Sequence, residues 1–564
     1  MSTRRTKKIS SSNATPSSRK ISSHNVGGPK EIAFSEALLN EISSGEIVSE
    51  KDLEKRMFFW SRHFKLSRIP SHPFILSCAS SPSKKMRTLL SIKPTRGLSG
   101  VQVIAVMLPP FDCPGKCIYC PSAFKGKKAP KSYTGFEPST LRAQRLNYDP
   151  YKIVSNRIKQ LDLTGNNAQK IELIFQGSSF TALPKQKQER LLKASIDAVI
   201  EKKSPSLFHS KLLAESSERR IVGITFETRP DLCSPDAIKQ MLHLGGTRVE
   251  LGVQNPCNEI YRAVNRGHDV LDVVLSTQLL KDSAFKVLYH LMPGLPGSTY
   301  SGDLKNFKKV FSDPDFRPDM VKFYPCLVIK GTKLYNEWKK GNFSPLSEKK
   351  AITMLAEIKS SLPKWVRVMR VNRDIPSTII SAGVKKTNLR QLVHQELQKQ
   401  GKKCNCIRCR EFALQQRFDN NPLTSLQNPA PDFDPAIKPL LSTEFYEASN
   451  GDEAFISFES KDSLFGFARL RNPSNPFLPQ ITPRTALLRE LHVFGKGLEL
   501  HERNKESAQH KGLGKELVLE AERIAREKFG SNKMVVISGL GVKEYYRKQL
   551  GYKKDGPYMS KALK

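Results

Sequence analysis

The sequence lacks any apolar run of about 18 residues, which is the length that a membrane-spanning helix requires. It is also poor in acidic residues, because 54 Asp plus Glu stand against 92 Lys plus Arg and give a formal net charge of +38. A folded protein seldom carries such an excess without a polyanionic partner. The composition therefore argues against a membrane-spanning helix and favours RNA or DNA over a lipid surface as the partner.

Cysteine is scarce, and its distribution argues against a disulfide framework. The chain has ten cysteines among 564 residues, and six of them form two tight clusters at 113–120 and 404–409. In a chain of this size, such clusters indicate metal sites in a reducing compartment. We therefore expect a cytoplasmic protein with two metal centres.

The first cluster has the spacing Cys-x3-Cys-x2-Cys, formed by Cys113, Cys117 and Cys120. Three soft thiolates can hold a [4Fe–4S] cluster and leave one iron open to a substrate. Pro114 and Gly115 would let the short loop curl until the three sulfurs face one centre. A partial zinc site or ordinary buried cysteines are the alternatives.

The second cluster has the spacing Cys-x-Cys-x2-Cys, formed by Cys404, Cys406 and Cys409. Three thiolates suit a zinc ion whose fourth ligand comes from elsewhere in the chain. His394 is the nearest candidate for that ligand. We expect a structural zinc between two domains.

Short apolar runs alternate with helical patterns around and beyond the first cluster. This alternation predicts an α/β fold, here a partial (β/α)6 barrel of parallel strands with helices outside. Six strands are predicted, at 100–107, 170–175, 221–226, 248–254, 287–292 and 320–324. Ligands bind at the carboxyl ends of strands in such folds, where this sequence has polar residues. These candidates, each of which could singly be an ordinary loop or ion-pair residue, are Gly177, Ser178, Ser179, Glu227 and Arg229.

The three-cysteine loop, with Tyr119 directly before its last cysteine, resembles the signature of radical S-adenosylmethionine (SAM) enzymes. In that superfamily the open iron binds the methionine end of SAM. The resemblance implies that Gly177 admits the SAM amino group, with hydroxyls from Ser178 and Ser179. A carboxylate such as Glu227 suits the ribose, and the guanidinium of Arg229 suits the SAM carboxylate.

The last part of the chain predicts a separate α/β unit. Strand patterns at 464–471 and 486–494 precede a Gln-x-x-Gly-x-Gly loop at 509–514 that opens a helix. Such a loop presents free N–H groups to an anion. With the following strand at 534–538 and the pair Tyr545-Tyr546, the order resembles the GNAT superfamily of N-acetyltransferases, whose loop binds the pyrophosphate of acetyl-CoA. The alternative is a helix start beside core tyrosines.

Four further stretches, at 131–138, 227–231, 265–268 and 556–561, are similar to the catalytic subunit of Elongator, a tRNA-modifying family. The resemblance covers the chain from about residue 93 to its end. It implies that a SAM-derived 5′-deoxyadenosyl radical takes a hydrogen atom from the methyl group of acetyl-CoA. The carbon radical would then add to C5 of the wobble uridine of tRNA, and hydrolysis would release CoA and leave 5-carboxymethyluridine.

The same resemblance implies roles for particular residues. Cys113, Cys117 and Cys120 would hold the [4Fe–4S] cluster. Lys170, Tyr545 and Tyr546 would be catalytic, with Lys170 meeting acetyl-CoA from the radical SAM side and Tyr545 near the thioester. The acetyl-CoA site would further comprise Glu490, Leu491, His492, Val493, Gln509, Lys511, Gly512, Leu513 and Gly514.

We expect five regions along the chain: a disordered basic tail (1–33), a basic helical tRNA-binding region (34–92), a radical SAM domain (93–375), a zinc-binding linker region (376–425) and a GNAT-type domain (426–564). The first 30 residues contain no Asp or Glu. In the second region Phe58, Phe59 and Trp60 lie among basic residues. They would either stack on unpaired bases or pack the helix, and the total charge favours RNA.

The partners expected are tRNA, acetyl-CoA, an electron donor for the cluster and a second copy of the chain. The short spacing between the first two cysteines and the second cysteine cluster indicate a prokaryotic type, which would not require accessory Elongator subunits. A protein lysine acetyltransferase with a structural iron–sulfur domain is the main alternative. A non-catalytic tRNA-binding scaffold and a radical SAM methylthiotransferase fit the two cofactor loops less well.

Overall fold

The computed structural model describes residues 28–90, 100–122, 126, 128–164, 166, 168–412, 414, 439–494 and 512–564. The chain divides into two compact units: residues 1–93 with 163–166, and residues 94–162 with 167–564. Across the described residues, no helix is long and apolar enough to cross a membrane.

The first unit is a small helical body. Its helices are α1 (Pro29–Ser44), α2 (Glu50–His63), α3 (His72–Ser77) and α4 (Lys84–Leu89). Helix α1 begins at Pro29 and ends before Gly45, which takes the left-handed conformation typical of a helix C-terminus. Residues 29–33, which the predicted disordered tail includes, belong to this helix instead, because Pro29 is well suited to a first helical turn and Phe34 anchors the helix in the core. The rest of the predicted tail, at 1–27, lies outside the described residues.

The aromatic residues of α2 divide between core and surface. Trp60 donates to Glu41 Oε1 at 2.9 Å and stacks on Phe64, so it packs the helix. Phe58 and Phe59 are 61% and 50% exposed. One aromatic of this helix is therefore structural and the other two are exposed, and their stacking on bases stays a prediction.

The second unit begins with a parallel sheet in the order β1-β2-β3-β4-β5-β6-β8. Its strands are β1 (Val101–Met107), β2 (Lys170–Gln176), β3 (Arg220–Thr228), β4 (Arg248–Gln254), β5 (Lys286–Leu291), β6 (Met320–Phe323) and β8 (Arg367–Arg370). The six predicted strands are confirmed, and β8 is a seventh that the sequence did not reveal. A two-residue strand β7 (Val328–Ile329) pairs with β9 (Ile380–Ala382) outside the sheet.

Helices cover the outer face of this sheet and follow its last strand. They are α5 (Pro138–Arg145), α6 (Pro150–Leu163), α7 (Lys185–Val199), α8 (Leu207–Glu215), α9 (Pro235–His243), α10 (Asn258–Ala263), α11 (Val270–Asp282), α12 (Tyr300–Ser312), α13 (Lys333–Lys339), α14 (Glu348–Ser360), α15 (Leu389–Lys399) and α16 (Ile407–Arg410). In β2, Ile171, Leu173 and Phe175 are fully buried in the core cluster that these helices share. The alternate residues Lys170 and Glu172 face the other side, the lumen of the half-barrel.

The remainder of this unit is a second sheet in the order β10-β11-β12-β13-β14-β16-β15. Its strands are β10 (Leu440–Ala448), β11 (Gly451–Ser460), β12 (Ser463–Asn472), β13 (Thr485–Val493), β14 (Lys533–Val536), β15 (Lys553–Asp555) and β16 (Tyr558–Ala562). Its helices are α17 (Leu513–Glu527) and α18 (Lys543–Leu550). All pairings are antiparallel except β13 with β14, which run parallel. The predicted order of strand, helix and strand is confirmed, and residues 509–511 of the predicted loop lie outside the described residues.

Candidate functional site

The three-cysteine loop lies directly after β1, at the carboxyl edge of the parallel sheet. The Ile118 amide donates to the Val264 carbonyl at 3.1 Å, and the Leu334 amide donates to the Ile118 carbonyl at 3.0 Å, so the loop is fixed from two sides. The Sγ atoms of Cys113, Cys117 and Cys120 are not among the described metal-ligand groups that lie within 4.8 Å of one another. They thus do not form the compact group expected for one ion with Zn–S bonds of about 2.3 Å, and three thiolates on one loop are the ligand set of a cluster with one open iron.

An arginine from another part of the barrel touches this loop. Arg266 Nη1 donates to Cys117 Sγ at 3.4 Å. Burial raises the pKa of Cys117, but the charge and hydrogen bond of Arg266, together with Tyr119 and Arg229, outweigh it, so that this thiol has a pKa below its usual value. Burial raises the pKa of Cys120 to about 11. Arg266 belongs to the stretch 265–268, which was noticed in the sequence but given no role.

The predicted SAM-binding residues after β2 have the backbone of a ligand cradle. Gly177 has φ +110°, and a Cβ there would lie 2.7 Å from Pro130 Cγ, so only glycine fits. Ser178 also has positive φ, and its buried hydroxyl has no protein partner among the described residues. Ser179 is 2% exposed. The orphaned hydroxyl and the tight glycine fit a site that a polar cofactor completes.

Glu227, at the end of β3, joins this group. Its carboxylate accepts from Gln176 Nε2 at 3.2 Å and from the Tyr133 hydroxyl at 3.4 Å. Arg229 was expected to bind the SAM carboxylate, but its guanidinium already pairs with Asp231 through two contacts of 2.9 Å. Arg229 Nη2 also donates to the Arg266 carbonyl. Only Nη1 of Arg229 lacks a partner, and a Cβ at Gly115 in the cysteine loop would collide with it. Its role toward SAM stays a prediction.

The lumen of the half-barrel is lined by alternating charges. Glu172 pairs with Arg248, Arg248 Nη2 lies 3.5 Å from Glu250, and Glu250 pairs with Lys322. Lys322 Nζ lies 4.0 Å from Glu227 Oε1. Glu227, Glu250 and His290 have the spacing of metal ligands, but the Lys322 ammonium group already supplies the positive charge there. We interpret these residues, which the sequence did not reveal, as a network of ion pairs that lines the lumen and not as a metal site.

The predicted acetyl-CoA strand has one free edge. Strand β13 pairs with β12 up to Val493, but β14 accompanies it only to Leu488. Among the described residues, the backbone of 490–493 therefore has no strand partner on the β14 side. A separation of these two strands leaves peptide groups available to an extended ligand. Val493 Cγ2 would lie 3.6 Å from a Cβ at Gly514, so this edge meets the loop before α17.

The start of α17 fits an anion. Gly512 takes φ +84°, which favours glycine, and the helix that follows directs the free amides of its first turn outward. Leu513 and Gly514 are the first two helical residues. Gln509 and Lys511 of the same motif lie outside the described residues.

The two tyrosines of α18 have different environments. A Cβ at Gly514 would lie 3.4 Å from the Tyr545 hydroxyl, so Tyr545 is at the start of α17, where acetyl-CoA is predicted to bind. Tyr546 is 4% exposed and packs in the core with Tyr552. Burial raises the pKa of both phenols. Tyr546 is thus a core residue, and its catalytic role stays a prediction.

Two lysines begin strands that line the lumen, Lys170 in β2 and Lys286 in β5. Burial lowers the pKa of Lys170, whose ammonium group has no partner among the described residues. Burial also lowers the pKa of Lys286, although the nearby Glu490 opposes this. Burial raises the pKa of Glu490, but the ion pair with Arg469 at 2.8 Å and the charges of Lys286 and His492 together outweigh it and hold the pKa below its usual range. Lys286 was not predicted, since nothing in its local sequence distinguishes it.

The second cysteine cluster is compact. The Sγ atoms of Cys404, Cys406 and Cys409 lie within 4.8 Å of one another, and His394 Nε2 is 3.6 Å from Cys409 Sγ. Lys359, fully buried, donates to Cys404 Sγ at 3.3 Å. The cysteine segment connects the two sheets, because the Ile407 amide donates to the Val366 carbonyl beside β8, and Glu411 bridges to Leu464 at the start of β12.

The chain matches three protein families along its length. Residues 107–307 match the Radical SAM superfamily, 318–399 the Radical SAM C-terminal domain and 421–552 the Acetyltransferase (GNAT) family. The tRNA uridine(34) acetyltransferase of Methanocaldococcus infernus is 47% identical over 94% of this chain and 98% of that protein. Elongator complex protein 3 of Saccharomyces cerevisiae is 37% identical over 93% of this chain and 94% of that protein.

A solved structure agrees with these matches. The Methanocaldococcus infernus Elp3 with an N-terminal deletion is 45% identical, with a TM-score of 0.72, and covers 83% of this chain and all of that one. The matches to both relatives extend over more than nine-tenths of this chain, which holds the two sheets and the cysteine loop. This protein belongs to the family of tRNA uridine(34) acetyltransferases and Elongator complex protein 3, which combines a radical SAM domain with a GNAT domain.

Proposed function

We propose that this protein forms 5-carboxymethyluridine at the wobble position of tRNA, with acetyl-CoA as the source of the carboxymethyl group. The observation that carries the proposal is that the three-cysteine loop and the acetyl-CoA-type strand and loop lie in one compact unit. Charged residues of the barrel lumen connect the cysteine loop with this strand, because Arg248 and Lys286 interact with Glu490 on β13. A relative named for tRNA uridine(34) supports the substrate.

Each cofactor has a matching set of residues. Cys113, Cys117 and Cys120 would hold a [4Fe–4S] cluster, and the cradle at 177–179 with Glu227 would bind SAM. Together these groups supply, when bound, a radical able to take a hydrogen atom from an acetyl methyl group. The free edge of β13 at 490–493 would bind the acetyl-CoA chain by backbone hydrogen bonds.

The remaining site residues would act on the pyrophosphate and the thioester. The amides of Leu513 and Gly514 would receive the pyrophosphate. Tyr545 would contact the thioester from the GNAT side, and Lys170 would meet it from the lumen. A desolvated ammonium group there would stabilise the negative charge that develops on the thioester oxygen during hydrolysis.

The charge of the chain supports tRNA as the polyanion. The excess of 38 positive charges is distributed over a protein whose first unit also exposes Phe58 and Phe59. Basic groups meet phosphates, and exposed aromatic rings stack on unpaired bases. We infer that the first unit contributes to tRNA binding, that the protein acts in the cytoplasm, and that it needs an electron donor.

Protein lysine acetylation is the second candidate, and the environment of Glu490 disfavours it. A lysine substrate must lose a proton to a base, and Glu490 is the acidic residue on the proposed acetyl-CoA strand. Its carboxylate is held by Arg469 and faces Lys286, so it is a poor proton acceptor. An incoming lysine would also meet a cationic surface.

We further propose that Cys404, Cys406, Cys409 and His394 hold a structural zinc. The compact thiol group and the nearby imidazole match a Cys₃His site, and Lys359 would offset the charge of the thiolates. Replacing Cys406 with Ser should remove about one zinc per chain by elemental analysis. Unchanged zinc content in that variant would contradict the proposal.

The function is tested with the purified chain alone under anaerobic conditions. Reconstituted protein receives SAM, dithionite, bulk tRNA and acetyl-CoA labelled in the methyl carbon, and nucleosides are analysed by mass spectrometry. Label in 5-carboxymethyluridine supports the proposal and shows that no accessory subunit is required. Label on protein lysine with unlabelled tRNA would support the second candidate, and the Cys117→Ser protein is the matched control.

A further inference from the structure

Arg266 is a buried cation without a carboxylate partner. Its side chain is 6% exposed, and it takes part in no ion pair among the described residues. Its Nη2 donates to the Gly252 carbonyl, its Nη1 donates to Cys117 Sγ, and its Nε has no partner. An uncompensated guanidinium in a protein interior is costly, so an anionic group is expected beside it.

The neighbouring charged groups do not supply that anion. Arg229 is already neutralised by Asp231, and its Nη2 holds the Arg266 backbone carbonyl at 2.9 Å, which fixes the turn. His268 is neutral, because burial and the charge of Arg266 lower its pKa to about 4. Arg373 also acts on Cys120, but it is only half-buried and donates to the Ser132 carbonyl. The group that Arg266 faces is the cysteine loop itself.

We propose that Arg266 is a positioning residue that supplies the counter-charge of the cluster and makes its one-electron reduction more favourable. The inference rests on the proposed [4Fe–4S] cluster at Cys113, Cys117 and Cys120. The three negative charges of the thiolates exceed the positive charge of an oxidised [4Fe–4S]²⁺ core, so the assembly is anionic. One electron from an external donor converts the core to [4Fe–4S]⁺ and makes the assembly more anionic, which a buried cation and an N–H···S hydrogen bond favour.

The test is a potentiometric titration followed by electron paramagnetic resonance on the reconstituted full chain. Arg266→Gln should make reduction at least tenfold less favourable, which for a one-electron couple lowers the midpoint potential by about 59 mV or more. Arg266→Lys retains the charge and should shift the equilibrium by less than tenfold. Arg262→Gln is the matched control, because Arg262 is 72% exposed and already paired with Glu259, and it should leave the potential unchanged.

Iron and sulfide analysis accompanies each titration. A full cluster in Arg266→Gln with the wild-type potential would overturn the inference. If that variant holds no cluster, Arg266→Lys decides: a loaded cluster with a shift under tenfold supports the role of the charge, and a larger shift or no cluster refutes it. Absence of a cluster from the wild-type chain would instead contradict the proposed function.

Discussion

Replacing Asp319 with Asn removes one charge from a fully buried network that joins the two sheets of the second unit. Asp319 precedes β6 of the barrel and accepts from Arg489 of β13 at 2.8 and 2.6 Å. Arg489 also lies 2.7 Å from Glu453. Arg489 is a bulged residue of β13, because Arg469 and Leu470 of β12 pair with Glu490 and Leu488 on either side of it, and its side chain reaches the barrel.

The magnitude follows from the charge balance of this network. Its cations are Lys281, Arg469, Arg471 and Arg489, and its anions are Asp282, Asp319, Glu453 and Glu490. Asp319→Asn keeps the shape but leaves one buried cation uncompensated. Removing one partner of a buried pair costs about 3–5 kcal/mol. We expect the variant to lose that much of the free energy that holds the second sheet on the barrel.

Trp365 provides the assay, because its ring stacks on Tyr446 of the second sheet at 4.4 Å between centroids. The other two tryptophans, Trp60 and Trp338, are changed to Phe, so that urea titrations followed by fluorescence report this interface. Asp319→Asn should lower the urea midpoint. Asp462→Asn, the same change in an exposed pair with Lys403, should not.

A double-mutant cycle tests the reasoning behind that expectation. Combining Asp319→Asn with Arg489→Met leaves three cations and three anions in the network. The double variant should therefore lose less free energy of unfolding than the sum of the losses in the two single variants. Additive costs would refute the charge-balance argument. So would an unchanged midpoint in Asp319→Asn, which would mean that apolar packing alone holds the interface.

Three further predictions concern the sites and the pH. Cys117→Ser should abolish iron loading while acetyl-CoA binding, measured by calorimetry, stays intact; retained iron would contradict the cluster assignment. Tyr545→Phe should lower the rate of tRNA modification by about 10²-fold, whereas Tyr546→Phe should leave the rate unchanged. Burial raises the pKa of Asp303 to about 6, above about 3.9 in the unfolded chain, so its contribution to stability is present below about pH 4 and lost as pH rises through 6. Between about pH 4 and pH 6 the urea midpoint should therefore fall less in Asp303→Asn than in the wild-type protein. An identical pH profile in the two proteins would contradict this.

Most of the fold was predictable because each sheet has a local signature. Strands buried on both sides appear as short apolar runs, and the runs at 170–175 and 221–226 lie within observed strands. Strand β8 was missed since its four residues, Arg367–Arg370, include two arginines and lack an apolar run. The start of α1 was misjudged because the adjacent basic tail dominated the composition of that stretch.

The sites were predictable only in part. Cysteine spacing and the glycine loop are local patterns, so both could be found in the sequence. The contact of Arg266 with Cys117 joins residues 149 positions apart, and that of Lys322 with Glu250 joins residues 72 apart. Tyr545 and Tyr546 are adjacent in sequence, and only the packing of α18 distinguishes them.

The sequence by itself determined the identity of the two cofactor loops, the excess of positive charge and the order of the two α/β regions, because ligand type, charge and hydrophobic period are local properties. Only the tertiary structure decided which charges meet. It paired Lys322 with Glu250, left Arg266 without a carboxylate, and buried seven charges between the two sheets, with Glu490 beside them. Those outcomes depend on distances across the fold, which no short stretch of the chain encodes.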